Sequence, residues 1–69
     1  MKSTFKRLDH QVICGIVEPG SKVLDLGCGN GDLLHLLVER RGAKAQGVEL
    51  NNDAIHACVE KGLSVFHSD

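Results

Sequence analysis

The sequence predicts an α/β fold, a helix followed by β-α-β-α-β, which is the first half of a doubly wound parallel sheet. Three observations carry this. Short apolar runs at 22–26, 45–50 and 63–67 are bounded by turn residues, as buried parallel strands are. Between them lie segments of about ten residues with apolar positions at helical spacing. A glycine-rich turn, Gly27-Cys28-Gly29-Asn30-Gly31, joins the first strand to the helix after it. Strands alternating with helices require right-handed crossovers and a parallel, Rossmann-like sheet.

Phe5, Leu8, Val12, Ile13, Ile16 and Val17 recur every three or four residues, which predicts an amphipathic helix over 4–18. Ser3 or Thr4 would cap its start, and Pro19-Gly20 would end it. Lys22 to Leu26 is the first strand. A second helix is expected over 31–41, closed by Gly42, with Arg40 and Arg41 placed well for the negative end of its dipole. Ala45 to Leu50 is the second strand. Asn51 or Asn52 then opens a helix over 52–61, with Ala54, Ile55, Cys58 and Val59 expected to face inward. Lys61-Gly62 closes it, and Leu63 to His67 forms the third strand.

In a doubly wound sheet the first strand is central, yet three successive β-α-β strands fill only one side of it. The 69 residues therefore predict one unit, 1–69, made of an amphipathic helix and a half-site over 22–69. The unpaired edge of the first strand is expected to favour self-association.

Composition narrows the function. Hydrophobic residues make up 42% and charged residues 25%, which are globular values. A net charge of −1 without a basic run removes the electrostatic footprint of a nucleic-acid binder. Cys14, Cys28 and Cys58 are odd in number and lack metal-ligand spacing, which suits a reducing, cytoplasmic setting. No apolar stretch reaches the length of a membrane span.

A strand that ends in glycines and opens a helix brings bare backbone to a ligand, and the free N–H groups of the turn are expected to meet it. A dinucleotide fingerprint, G-x-G-x-x-G, would need its third glycine at position 32, where this chain has Asp32. Asp25, two residues before the first glycine, points instead to S-adenosylmethionine (SAM). Asp25 would accept from the ligand's ammonium, directly or through water. Glu49 falls at the end of the second strand, a little over 20 residues after the glycine turn begins. That spacing suits a carboxylate holding two ribose hydroxyls. Asp69 would accept from the adenine amino group. His10, His35, His56 and His67 read as surface or strand-end residues. Cys28 reads as a small residue tolerated in the turn, although a helix N-terminus beside it could lower its pKa.

These three motifs, Val23 to Gly31, Val48-Glu49-Leu50 and His67-Ser68-Asp69, resemble the opening motifs of class I SAM-dependent methyltransferases. More narrowly, Pro19-Gly20-Ser21-Lys22, Gly47-Val48-Glu49 and the run Ala57 to Val65 resemble the methionine-biosynthesis protein W (MetW) family. Asn51 departs from that family, where an acid is common after the second strand. The resemblance implies cofactor contacts from Asp25, Gly27, Cys28, Gly29, Gly31, Glu49, Leu50 and Asp69, with no catalytic or metal-binding residue. It also implies methyl transfer or support of methionine biosynthesis by the whole protein, and homoserine O-acyltransferase as a partner. Acceptor-binding residues of this superfamily follow the fourth strand, so the 69 residues alone are expected to be inactive. Two other readings stand beside this one: a non-catalytic regulatory partner of the acyltransferase, and a fragment of an NAD-dependent oxidoreductase.

Overall fold

The computed structural model describes residues 2–68, with side chains from Asp9 onward. The chain runs α1 (Lys2–Ile16), β1 (Lys22–Leu26), α2 (Asp32–Arg41), β2 (Lys44–Glu49), α3 (Asn52–Glu60) and β3 (Ser64–His67). The strands are parallel in the order β1-β2-β3. This is the expected topology, with β1 at one edge.

The ends of the elements follow from local chemistry. α1 begins at Lys2, so Ser3 and Thr4 lie inside it rather than capping it, and it stops at Ile16 instead of running to 18. Pro19 explains the early stop, because its ring disfavours helical backbone at Glu18. Gly42 ends α2 in the left-handed conformation, its N–H returning to the carbonyls of Leu37 and Val38. Asn51 caps α3, its Oδ1 accepting from the Ala54 N–H at 2.9 Å. β2 starts one residue earlier than the apolar run, because the Lys44 N–H donates to Ser21 O at 2.8 Å and starts the pairing with β1. It ends at Glu49, leaving Leu50 outside the strand.

The helices cover one face of the sheet. Cys14 of α1 and Leu37 of α2 are buried with Ala43, against Val23 and Ala45. Leu34 of α2 and Cys58 of α3 are buried with Cys28, against Ala45, Leu63 and Val65. Leu34 and Leu37 are fully enclosed, and truncating either to alanine removes about 2–5 kcal/mol. Arg41 fastens α2 to α1, its Nε donating to Cys14 O at 2.7 Å. The opposite face is bare. Leu26, Val48 and Phe66 stand side by side in register there, with Leu26 73% and Phe66 55% exposed. Val59, expected inside, lies on the outer side of α3 and is exposed. No helix among the described residues is long and apolar enough to cross a membrane.

Candidate functional site

Parallel pairing brings three strand ends together. Leu26 is level with Val48, and Glu49 with His67, so the glycine turn, the β2–α3 loop and the end of β3 share one edge. Ligands of open α/β sheets bind at this carboxyl edge.

Three glycines of the turn need the left-handed backbone that only glycine adopts at little cost: Gly27 (φ +73°), Gly29 (φ +58°) and Gly31 (φ +85°). Their surroundings differ. A Cβ on Gly27 or Gly29 would meet nothing within 4 Å. One on Gly31 would lie 2.6 Å from Leu63 Cδ1 and 2.8 Å from Cys58 Sγ. Gly27 and Gly29 therefore present bare backbone at the rim, whereas Gly31 is buried on the core.

Five of the turn's N–H groups, expected to face a ligand, are bonded inside the protein. Gly27 and Cys28 both donate to Val48 O, at 2.8 and 3.2 Å, and Gly31 donates to Cys28 O at 3.1 Å. The Gly29 N–H donates to Glu49 Oε1 at 2.7 Å. The Asp32 N–H donates to Asn30 Oδ1 at 3.2 Å. For Gly27, Cys28 and Gly29 the cause is the close parallel approach of β2, which supplies Val48 O and Glu49 Oε1 directly beneath the turn.

Glu49 is the second centre of the site. Besides Gly29, its carboxylate accepts at Oε2 from the N–H groups of Leu50 (3.0 Å) and Asn51 (2.9 Å). The amides of Asn51, Gly29 and Leu50 hold its carboxyl below the usual range, because they stabilise only the ionised form. A carboxylate has about four acceptor sites, so one remains for an incoming hydroxyl. Leu50 is exposed, and its carbonyl lies 3.2 Å from His67 Nε2. Asp69 lies outside the described residues.

Asp25 lines a cavity of about 610 Å³ together with Gly27, Gly29, Asn30 and Asp32, and with Asp9, His10 and Ile13 from α1. Burial pushes the Asp25 carboxyl up, and the charge of nearby His10 pulls it partly back. Asp32 is held low, chiefly by Lys61, whose Nζ donates to its Oδ1 at 3.0 Å and to Asn30 O at 2.7 Å. Three carboxylates thus face this space. The lining suits a ligand that carries positive charge and repels a pyrophosphate, for which the turn also lacks those five amides.

Cys28 also lines this cavity, but its thiol turns toward the core. Its thiol is buried 4.0 Å from Cys58 Sγ, and burial pushes it up to about 11. The neighbouring helix N-terminus does not lower it, because burial in an apolar pocket outweighs the dipole. Space for that thiol comes from Gly47, where a Cβ would sit 2.5 Å from Cys28 Sγ and 2.8 Å from Leu34 Cδ1. Gly47, Lys61 and His10 were not evident as site-forming from the sequence. A glycine inside an apolar strand is the signal for Gly47; Lys61 and His10 carry no local signal.

Comparison with known proteins agrees with this architecture. Residues 7–69 match the family described as methionine biosynthesis protein MetW. A bifunctional methionine biosynthesis protein MetXA/MetW from Rhodopirellula baltica is 34% identical over 70 residues, covering 90% of this chain and 11% of that protein. The crystal structure of a SAM-dependent methyltransferase from Archaeoglobus fulgidus superposes with a TM-score of 0.76 at 30% identity, covering 96% of this chain and 29% of that one. A SAM-dependent methyltransferase from Geobacter sulfurreducens, solved with S-adenosyl-L-homocysteine, gives a TM-score of 0.67 at 26% identity, covering 93% and 29%. The chain thus spans between about a tenth and a third of the length of these relatives. With the helix-first β-α-β-α-β order, the glycine turn after β1 and Glu49 after β2 all in place, the chain belongs to the MetW family of methyltransferase-like proteins.

Proposed function

We propose that residues 22–69 form the cofactor half-site of a SAM-binding methyltransferase-like domain. The observation that carries this is the pairing of a bare, acid-lined glycine turn with Glu49 at the next strand end. Asp25 accepts from the ligand's ammonium, Gly27 and Gly29 let it lie against the backbone, and Glu49 accepts from the ribose. Leu50 lies beside the ribose, and the resemblance adds Asp69 at the adenine. Cys28 lines the cavity while its thiol packs inward, and Gly31 supports the turn from below. Bound SAM supplies a methyl group already activated by its sulfonium, which leaves the protein the work of alignment. The whole protein then transfers a methyl group in a cytoplasmic setting, which suits the three free thiols of these 69 residues.

Calorimetric titration of the complete protein with SAM, S-adenosylhomocysteine and NAD tests this. The two SAM-type ligands should bind and NAD should not. Glu49→Ala and Gly29→Val should each weaken binding by at least about tenfold. Unchanged affinity in both variants refutes the assignment.

A second reading is favoured by the bifunctional relative, whose name joins MetXA and MetW in one protein. On this reading the protein supports methionine biosynthesis as a non-catalytic partner of homoserine O-acyltransferase. Co-purification with that enzyme without methyl transfer by the complete protein selects it. Pairing through the free edge of β1 with a second copy belongs to the same set of proposed contacts.

A further inference from the structure

We propose that Cys28 and Cys58 form a redox switch beneath the glycine turn: a peroxide joins them as a disulfide, and the link displaces the rim of the turn. The pairing stands on the geometry of the two thiols, whereas its effect on a ligand rests on the cofactor reading above.

The two sulfurs are in direct contact at 4.0 Å. A disulfide needs them about 2 Å closer. Cys28 can supply that movement, because it stands between Gly27 and Gly29, whose backbone carries no Cβ to resist it. Glycines also shape the slot that holds the sulfurs. A Cβ on Gly47 would lie 2.5 Å from Cys28 Sγ, and one on Gly31 would lie 2.8 Å from Cys58 Sγ. Cys14 belongs to a separate cluster with Leu37 and Ala43, so among the described residues Cys28 has one partner.

The order of steps follows from access. Cys28 lines the cavity of about 610 Å³, which a molecule as small as a peroxide can enter, while Cys58 is fully enclosed. The Cys28 thiolate attacks one peroxide oxygen, the O–O bond breaks, and the departing hydroxide takes up the thiol proton as water. Cys28 is then a sulfenic acid. The Cys58 sulfur attacks that sulfur, the S–O bond breaks, and the oxygen leaves as water with the Cys58 proton. Two thiols have lost two protons and two electrons, and one peroxide has become two waters. Burial pushes the Cys28 thiol up to about 11, and Cys58, Asp25 and Glu49 nearby raise it further. Thiolate is therefore scarce at neutral pH, and the link forms slowly there and faster in alkali.

The link acts on the turn through its hydrogen bonds. In the reduced protein Cys58 Sγ donates to Gly29 O at 3.2 Å. The Gly29 N–H donates to Glu49 Oε1 at 2.7 Å and the Cys28 N–H to Val48 O at 3.2 Å. Joining Cys28 to α3 breaks the first bond and pulls the turn against the other two, which separates the rim glycines from Glu49.

The test treats the complete protein with hydrogen peroxide at neutral and alkaline pH, then maps the linked peptides and titrates SAM by calorimetry. Peptide mapping without reductant should join Cys28 to Cys58, with a mass loss of about 2 Da for the pair. SAM affinity should fall by at least about tenfold in the linked protein and return with dithiothreitol. Cys58→Ser, which keeps a donor to Gly29 O, should form no such link, and untreated it should bind SAM within about twofold of wild type. Oxygen added to Cys28 with no link to Cys58 overturns the pairing. A complete link that leaves SAM affinity unchanged overturns the switch and leaves the cofactor reading standing. A reduced wild-type protein that does not bind SAM overturns the cofactor reading, and the switch with it.

Discussion

Gly27 and Gly29 stand at the rim of the turn and Gly31 and Gly47 beneath it, and the two pairs require glycine for opposite reasons. Around the rim pair there is room for a side chain and nothing to meet it; what they keep clear is space outside the protein. The lower pair face atoms already in place, Cys58 and Leu63 over Gly31, Cys28 and Leu34 over Gly47. One pair therefore leaves open the surface proposed for a ligand and the other serves the core, although all four read alike as letters. The same division separates the acids. Glu49 is held ionised by backbone amides, while Asp25 bears the cost of partial burial for a charge the fold does not itself need.

The strongest way to break this contrast is to fill the lower pair. Gly31→Ala meets both a left-handed backbone and contacts under 3 Å, and should lower stability by about 3 kcal/mol. Gly47→Ala lacks the backbone strain and should cost about 2 kcal/mol through crowding alone. Chemical denaturation of the complete protein measures both, and losses below about 0.5 kcal/mol would show that the core yields easily.

Next comes the rim. Gly27→Ala should cost only about 1 kcal/mol, the strain of φ +73° on a residue with a Cβ. Its effect on SAM affinity should be out of proportion to that loss. A variant that loses stability and keeps affinity would move Gly27 into the structural pair.

The smallest effect lies in the pH dependence of stability, where the two acids have opposite signs. The folded carboxyl of Glu49 is held low, so its stabilisation is present above the unfolded value and fades as pH falls through the folded one. The folded carboxyl of Asp25 is raised, so its charge opposes folding at neutral pH and that opposition is relieved in acid. At pH 7, Glu49→Gln should thus destabilise, and Asp25→Asn should be neutral or slightly stabilising while weakening SAM. Both differences from wild type should shrink on acidification, which acid titration of the three proteins can check.

Much of the fold was legible because it depends on local signals. Pro19 and Gly42 end helices, Asn51 begins one, and the Lys22–Leu26 strand has the bounds its turn residues mark. The gathering of Asp25, Gly27, Gly29 and Glu49 at one end of the sheet was legible too, since their spacing places them at strand ends. Its hydrogen bonding was not. That the amides of Gly27, Cys28 and Gly29 are consumed depends on Val48 and Glu49 lying beneath them, a matter of strand register across 20 residues. The inward turn of the Cys28 thiol depends on Gly47 in the neighbouring strand. The place of His10 depends on how α1 docks, and an isolated helix pattern shows which face is apolar but not what its flank approaches. Val59 shows the converse, an apolar residue at helical spacing that the packing leaves outside.

The bond from Gly29 to Glu49 has a consequence for how ligand fragments add. One carboxylate fastens the glycine turn to the β2–α3 loop, and three of its four acceptor sites are filled before any hydroxyl arrives. In the proposed cofactor site a first ribose hydroxyl would take the remaining acceptor position, and a second would have to displace an amide. Displacement at Oε1 frees the turn that frames the amino-acid end, so the two ends share one degree of freedom. Adenosine and methionine, supplied as separate molecules, would then bind non-additively, and linkage requires each to alter the other's affinity by the same factor.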